Sequence, residues 1–139
     1  MKKTQSKVII PWMLYDAENK ILGRLASEIA IKLMGKDKID YKVYKPNNIR
    51  IVVINSKKIK VTGDKLMKKK YYRHTGYPGG LKTDVLNFMI KNKPNYVLRN
   101  AVKGMLPKNK LQKIFLKQLK IYENNIHPHT VQISQIGSL

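Results

Sequence analysis

The chain has 139 residues, of which 29 are Lys or Arg and 8 are Asp or Glu, so its formal net charge is +21. This length suits one domain with a buried core, and the 42% apolar content is well above that of a disordered tail. The absence of cysteine excludes disulfides, iron–sulfur clusters and cysteine zinc sites. Because so much positive charge repels itself in a compact state, we expect the working state to include a polyanion.

The N-terminus does not have the pattern of a signal peptide or a membrane span. The apolar run at residues 8–14 is short, is interrupted by Pro11 and is followed by polar residues without a clear cleavage site. No stretch approaches the roughly 18 apolar residues that a membrane span needs. We therefore expect a soluble, non-secreted protein without a membrane partner.

The first half of the chain predicts a strand, a helix and a second strand. Residues 12–15 are typical of a short strand. Apolar residues then recur at spacings of three and four from Leu22 to Met34, which places them on one face of a helix that Gly35 can end. The β-branched run at residues 51–54 is typical of a strand covered on both faces. Since a helix separates the two strands, we expect them to pair in parallel.

The second half predicts a further strand and then mainly helices. Residues 69–73 are a candidate for a third, strongly basic strand. Thr83 is placed to cap a helix, and Pro94 suits the first position of the next one. Another helix follows, with an inward apolar stripe that includes Ile114. Residues 119–122 predict a short last strand.

Two stretches concentrate the positive charge. Residues 57–82 carry nine cations against one acid, Asp64, and residues 85–123 carry nine against Glu123 alone. Tyrosines interleave the first stretch, and tyrosine rings can stack on unpaired bases, a contact that is commoner in RNA loops than in duplex DNA. The glycines around Pro78 can let the backbone approach phosphates closely. The pattern favours nucleic-acid binding over a merely solvated charged face.

The tyrosines of the first stretch are not expected to play one role. Tyr71 and Tyr72 are adjacent in a candidate strand, so their side chains point to opposite faces. We expect one of the two to pack inward and the other to face out. Tyr77 lies in the glycine-rich loop that follows.

No catalytic or metal-binding pattern emerges from the sequence. The acids are scattered, and neither the Walker loop nor the dinucleotide fingerprint is present. His127 and His129 offer two imidazoles without a further ligand nearby, so we expect them to hydrogen-bond within the tail or to RNA. We expect no enzyme activity, no cofactor and no small-molecule substrate. A hydrolase that pairs His74 or His127 with Asp64 is retained as a remote alternative.

Several blocks of the sequence resemble a known family. In chain order they are residues 12–24 (ending I-L-G-R), 53–55, 61–63, 71–82 (Y-Y-R-H-T-G-Y-P-G-G-L-K), 101–110 (A-V-K-G-M-L-P-K-N-K) and 127–129. Together they resemble the large-subunit ribosomal protein thirteen family of the bacterial and organellar type. The resemblance covers essentially the whole chain after about residue 11, and its two longest basic blocks are specific.

The resemblance implies an α/β fold and a ribosomal role. The implied fold is a three-layer α/β/α single domain with a four-stranded parallel sheet and basic loop and helix extensions. The implied function is that of a structural constituent of the large ribosomal subunit, which binds large-subunit rRNA near its 5′ portion and supports early assembly. Neighbouring large-subunit proteins are its further partners, on ribosomes of a bacterial cytoplasm, a plastid or a mitochondrion. A DNA-associated architectural protein is the alternative, because charge alone does not separate RNA from DNA.

The predicted organisation has an N-terminal extension at residues 1–11, the α/β domain at 12–123 and an irregular C-terminal tail at 124–139. RNA contact is predicted on two surfaces, from the matching blocks and the basic residues that flank them. The loop surface consists of Lys68, Lys69, Lys70, Tyr72, Arg73, His74, Thr75, Gly76, Tyr77, Gly79, Gly80 and Lys82. The helix surface consists of Lys103, Lys108, Lys110, Lys113 and Lys117. The chain departs from the family at residues 41–50, where an acidic turn is replaced by a more basic segment.

Overall fold

The computed structural model of the chain describes residues 10–134, and its central sheet has three parallel strands. They are β1 (Trp12–Asp16), β2 (Arg50–Ile54) and β5 (Leu119–Ile121), and they lie in the order β1-β2-β5. Residues 51–54 are all buried, as expected for a central parallel strand that is covered on both faces. The predicted strand–helix–strand unit with parallel pairing is confirmed, and so is the short last strand.

The helices begin and end largely where local signals place them. They are α1 (Leu22–Met34), α2 (Lys65–Lys68), α3 (Leu86–Asn92), α4 (Pro94–Met105), α5 (Leu111–Gln118) and α6 (Thr130–Ser134). Gly35 ends α1 in the left-handed conformation, with φ of 75°, and its N–H donates to the carbonyls of Ile31 and Lys32. Pro94 is the first residue of α4, as predicted.

One hydrophobic core lies between the sheet and the long helices. Ile51 and Val53 of β2 join the buried faces of α1, α3, α4 and α5 in this core. Because side chains alternate along a strand, Val52 lies on the opposite face of the sheet, where it is also buried. That face is partly covered by the C-terminal segment, since the Trp12 ring lies 4.9 Å from the His129 ring and α6 contacts β1. The layer on this second face of the sheet is therefore formed by the short C-terminal segment.

The prediction of a four-stranded parallel sheet is wrong. The basic strand β3 (Lys70–His74) pairs antiparallel with β4 (Leu81–Val85) in a separate two-stranded sheet. Antiparallel strands can be joined by a short loop, whereas a parallel strand needs a long crossover connection. Strands of a parallel sheet are also buried on both faces, and most side chains of β3 are exposed. The resemblance thus implied the correct α/β class of fold but the wrong number and pairing of strands.

Three local predictions also differ from the structure. Thr83 lies inside β4 and does not cap a helix, because its backbone pairs with β3 and α3 begins only at Leu86. Ile114 is exposed, and Phe115 is the buried residue of α5. The tail predicted to be irregular contains α6. The domain limits at residues 11 and 123 stay predictions, and the ends of both flanking segments lie outside the described residues.

Aromatic and imidazole rings cluster where the C-terminal segment meets the sheet. The Tyr122 hydroxyl and His129 Nε2 are 2.9 Å apart, and the His129 N–H donates to His127 Nδ1 at 3.2 Å. The bond between His129 and His127 lies within the tail, as one of the two predicted alternatives has it, while Tyr122 lies just before the tail; contact of the histidines with RNA stays a prediction. Burial, followed by the electrostatic effect of His127, lowers the pKa of His129. Within residues 10–134 no group of three or more His, Asp or Glu side chains is placed to hold a metal ion.

The lowered pKa of His129 predicts that the free domain loses stability as the pH falls through about 6.5, the ordinary histidine value. Below that pH the unfolded chain binds a proton that the folded His129 resists, so protonation favours unfolding. Urea unfolding at pH 7.5 and pH 5.5 measures the loss, and His129→Gln should reduce it. An unchanged difference in His129→Gln would contradict the assignment.

Candidate nucleic-acid interface

The loop that joins β3 to β4 is held by its own hydrogen bonds. The Thr75 N–H donates to the Gly80 carbonyl at 3.1 Å, and the Gly80 N–H donates to the Tyr77 carbonyl at 2.9 Å. His74 Nδ1 accepts a bond of 3.0 Å from the Gly76 N–H, and Gly76 has a φ of 92°, which favours glycine. A Cβ on Gly80 would lie 2.8 Å from the Tyr77 carbonyl oxygen and would overlap the Thr75 hydroxyl. The glycines therefore shape a defined loop.

Tyr71 and the two tyrosines of the loop surface, Tyr72 and Tyr77, have different environments. Tyr71 packs against the core, and its ring meets the Tyr96 ring edge-on at 6.3 Å between centroids. Burial raises the pKa of Tyr71, so its hydroxyl stays protonated at neutral pH. Tyr72 and Tyr77 are exposed. The prediction that one tyrosine of the adjacent pair packs inward is confirmed, and Tyr71 is the inward one.

The cations of the loop surface are exposed, and nearly all lack a carboxylate partner among the described residues. Lys68 is the exception, because its Nζ lies 2.9 Å from the Asp64 carboxylate. Such an exposed pair stabilises a fold by about 1 kcal/mol at most. The remaining ion pairs of the described chain lie elsewhere: Lys32–Asp37, Lys57–Glu123 and Lys58–Glu18. The charges at Lys69, Lys70, Arg73 and Lys82 are thus available to an external anion.

The helix surface follows the end of α4 and the start of α5. Its five lysines are all exposed. Gln112 fixes the connection between the two helices, because its side-chain amide donates to the carbonyls of Lys103 at 3.0 Å and Leu106 at 3.3 Å. The Asn109 side chain in turn accepts a bond of 3.1 Å from the Gln112 N–H. The lysines are therefore presented from an ordered turn.

A groove of about 730 Å³ lies beside the loop surface, between α1, α2 and α4. Lys65 and Lys69 line it beside the hairpin, and Gly104 lines it at the end of α4, next to the helix surface. Arg24 of α1 adds a further cation. No heavy atom lies within 4 Å of a Cβ placed on Gly23 or Gly104, so the groove is open at both glycines. Arg24 was missed in the sequence, because only tertiary packing places α1 beside the loop surface, whereas Lys65 was counted among the cations of residues 57–82 but was not predicted as a contact residue.

Residues 41–45, in the segment that we predict to depart from the family pattern, form an exposed basic loop. Residues 41–45 have no regular secondary structure, and Val43 and Tyr44 are exposed. Lys42 and Lys45 give the loop a positive charge. The change of charge relative to the family stays a prediction, and the structure places the side chains of residues 41–45 on the surface.

The family model described as Ribosomal protein L13 matches residues 10–128. The chain belongs to the ribosomal protein L13 family. The protein named large ribosomal subunit protein uL13 of Desulfovibrio desulfuricans is 53% identical over 124 residues, which are 89% of this chain and 86% of the relative. The protein named uL13c of Gracilaria tenuistipitata var. liui is 50% identical over 125 residues, 90% of this chain and 87% of the relative.

A further relative shows that the similarity extends across distant organisms. The uL13 protein of Baumannia cicadellinicola is 49% identical over 125 residues, 90% of this chain and 88% of the relative. The L13 match includes the complete loop surface and the complete helix surface. The family resemblance inferred from the sequence blocks is therefore confirmed. In the described part of this L13 chain, no helix is long and apolar enough to cross a membrane.

Proposed function

We propose that this chain is a structural constituent of the large ribosomal subunit, where it binds large-subunit rRNA and supports early subunit assembly. The observation that carries the proposal is the family match over residues 10–128, which includes both exposed basic surfaces. The relatives named large ribosomal subunit proteins support it. Neighbouring large-subunit proteins are proposed as further partners, on the ribosomes of a bacterium or of an organelle.

The proposed binding mechanism combines charge neutralisation with a shaped loop. Lysine and arginine side chains contact phosphates, which positions the protein on the RNA and releases counter-ions. The exposed rings of Tyr72 and Tyr77 can stack on unpaired bases. Gly76, Gly79 and Gly80 have no side chains, so the loop backbone at these three positions can approach the RNA closely. The exposed lysines of the helix surface provide a second set of phosphate contacts.

A catalytic role is not part of this proposal. His74 accepts a hydrogen bond from the loop backbone, and the Asp64 carboxylate is bonded to Lys68. His127 and His129 contact each other, and both rings also lie against Tyr122. Each residue of the proposed hydrolase pairs thus has a structural partner. A structural role in a ribonucleoprotein needs none of them to act on a substrate.

Competition between nucleic acids separates this proposal from a DNA-associated architectural protein. Fragments of large-subunit rRNA and duplex DNA of equal length should be mixed with the protein at one fixed salt concentration. We expect the rRNA to displace the DNA, because the exposed tyrosines and the glycine loop suit unpaired, irregular RNA. Both affinities should fall with salt, with a log–log slope of about −0.7 to −0.9 per phosphate neutralised. Displacement of the rRNA by the DNA would overturn the proposal.

A further inference from the structure

A cleft of about 370 Å³ lies between the β3–β4 hairpin and helices α3 and α4. Four of its nine lining residues are aromatic: Tyr71, Tyr72, Phe88 and Tyr96. Phe88 is 57% exposed and Tyr96 is 50% exposed, so both rings present faces to a ligand. The rings of Tyr71 and Tyr96 meet edge-on, inclined at 68°. The volume suits one small planar group.

The same cleft contains an acid in an otherwise basic region. Asp84 lines it, lies directly opposite Tyr71 in the hairpin and is half-buried. Among residues 10–134 its carboxylate has neither a hydrogen bond nor an ion pair, whereas Asp16, Glu18, Asp37, Asp64 and Glu123 all have side-chain partners. Asp40 also lacks a partner among these residues, but it is exposed. A half-buried carboxylate without a donor is unfavourable, so its position favours a ligand that donates hydrogen bonds.

We propose that this cleft binds one unpaired guanine of the rRNA, with the base stacked on Tyr96 and its Watson–Crick edge on the Asp84 carboxylate. This inference rests on the proposed rRNA-binding function. An ionised carboxylate only accepts hydrogen bonds and can accept two side by side. Guanine presents two adjacent donors, N1–H and the N2 amino group, without an acceptor between them. Adenine and cytosine place a ring acceptor beside their amino group, and uracil places a carbonyl on each side of N3–H.

The competing occupant is an arginine or lysine side chain of a neighbouring protein, since aromatic rings beside a carboxylate also suit a cation. The positive charge around the cleft argues against such a cationic occupant. Lys69 Nζ lies 5.5 Å from the centroid of the Tyr71 ring, and Arg73 and Lys93 line the cleft. These cations repel a cationic side chain and attract the phosphates on either side of a bound nucleotide.

The test uses oligouridine nonamers that carry one central guanosine, inosine or adenosine. Fluorescence anisotropy at low salt should show at least about fivefold tighter binding of the guanosine oligomer than of the adenosine oligomer. Inosine keeps N1–H and lacks the N2 amino group, so it should be intermediate. Asp84→Asn should abolish the preference and keep the salt dependence. Asp40→Asn makes the same charge change at an exposed position outside the cleft, and it should leave the preference intact.

The possible outcomes distinguish failure of the guanine assignment from failure of the proposed rRNA-binding function. Salt-dependent binding without a guanosine preference, or a preference that survives in Asp84→Asn, overturns the guanine assignment alone. Failure of all three oligomers and of rRNA fragments to bind overturns the proposed function itself. An NMR titration with guanosine monophosphate and with N-acetyl-arginine amide tests whether the cleft instead binds a cationic side chain of a neighbouring protein. Larger shifts at Tyr96 and Asp84 with the arginine probe would assign the cleft to a protein side chain.

Discussion

Replacing Arg73 and Lys82 together with alanine should weaken binding to large-subunit rRNA by about 25- to 60-fold at 0.1 M salt. This factor takes about 1 M salt as the concentration at which counter-ion release no longer adds to the affinity. The two residues lie opposite each other in the hairpin, are exposed and have no carboxylate partner among the described residues. Each phosphate contact contributes about 0.7–0.9 to the slope of log affinity against log salt, so two contacts contribute about 1.4–1.8. The free energy of unfolding of the free domain should stay nearly unchanged.

The salt dependence provides the control for this double variant. Its log–log slope should be less steep than that of the wild type by about 1.4–1.8. Lys57→Ala combined with Lys58→Ala makes the same change in net charge, but these lysines pair with Glu123 and Glu18 outside the proposed surfaces. That control should lose much less affinity. If the hairpin variant lost stability and affinity in equal measure, the two cations would be structural and the loop surface would be misassigned.

Leu33→Ala should destabilise the free domain by about 2–5 kcal/mol, a large part of the roughly 5–15 kcal/mol typical of a domain. Leu33 lies on the inner face of α1, is 0% exposed and belongs to the main core. The change removes buried methyl groups and leaves a cavity that close-packed neighbours fill only in part. Urea unfolding monitored by circular dichroism measures the loss.

Ile31→Ala is the matched control for this core substitution, because Ile31 lies on the same helix and is 44% exposed. It should cost well under half as much as Leu33→Ala. The affinity of the folded fraction of Leu33→Ala for rRNA should equal that of the wild type, since the loop surface lies on a separate two-stranded sheet. Similar losses in the two variants would show that α1 does not pack as described.

Local signals in the sequence were sufficient to predict those helices and strands whose formation depends on neighbouring residues. The spacing of apolar residues located α1, and Gly35 ends it because a left-handed residue there satisfies the last carbonyls. The β-branched run located β2, which is buried on both faces. Pro94 marked the start of α4. In each case the physical requirement acts within a few residues, so it is visible in the sequence.

Features that depend on contacts between distant residues could not be derived in this way. The capping signal at Thr83 was overridden by pairing with β3, which fixes residues 81–85 as a strand. The groove combines Arg24 with Lys65, and the cleft combines Tyr71 with Tyr96. These pairs are far apart in sequence and share no motif. Composition predicted a basic nucleic-acid interface, and only the fold shows which cations and rings lie together.

The most direct test of the central claim is sedimentation of the purified protein, in a sucrose gradient, with large ribosomal subunits that have been depleted of their own copy of it. Wild-type protein should migrate in the large-subunit peak at low salt, and the Arg73→Ala and Lys82→Ala double variant should be strongly depleted from it. The Lys57→Ala and Lys58→Ala control should remain in the peak. Wild-type protein that stays at the top of the gradient, or a double variant that sediments as the wild type does, would contradict the claim that the exposed basic surfaces bind large-subunit rRNA.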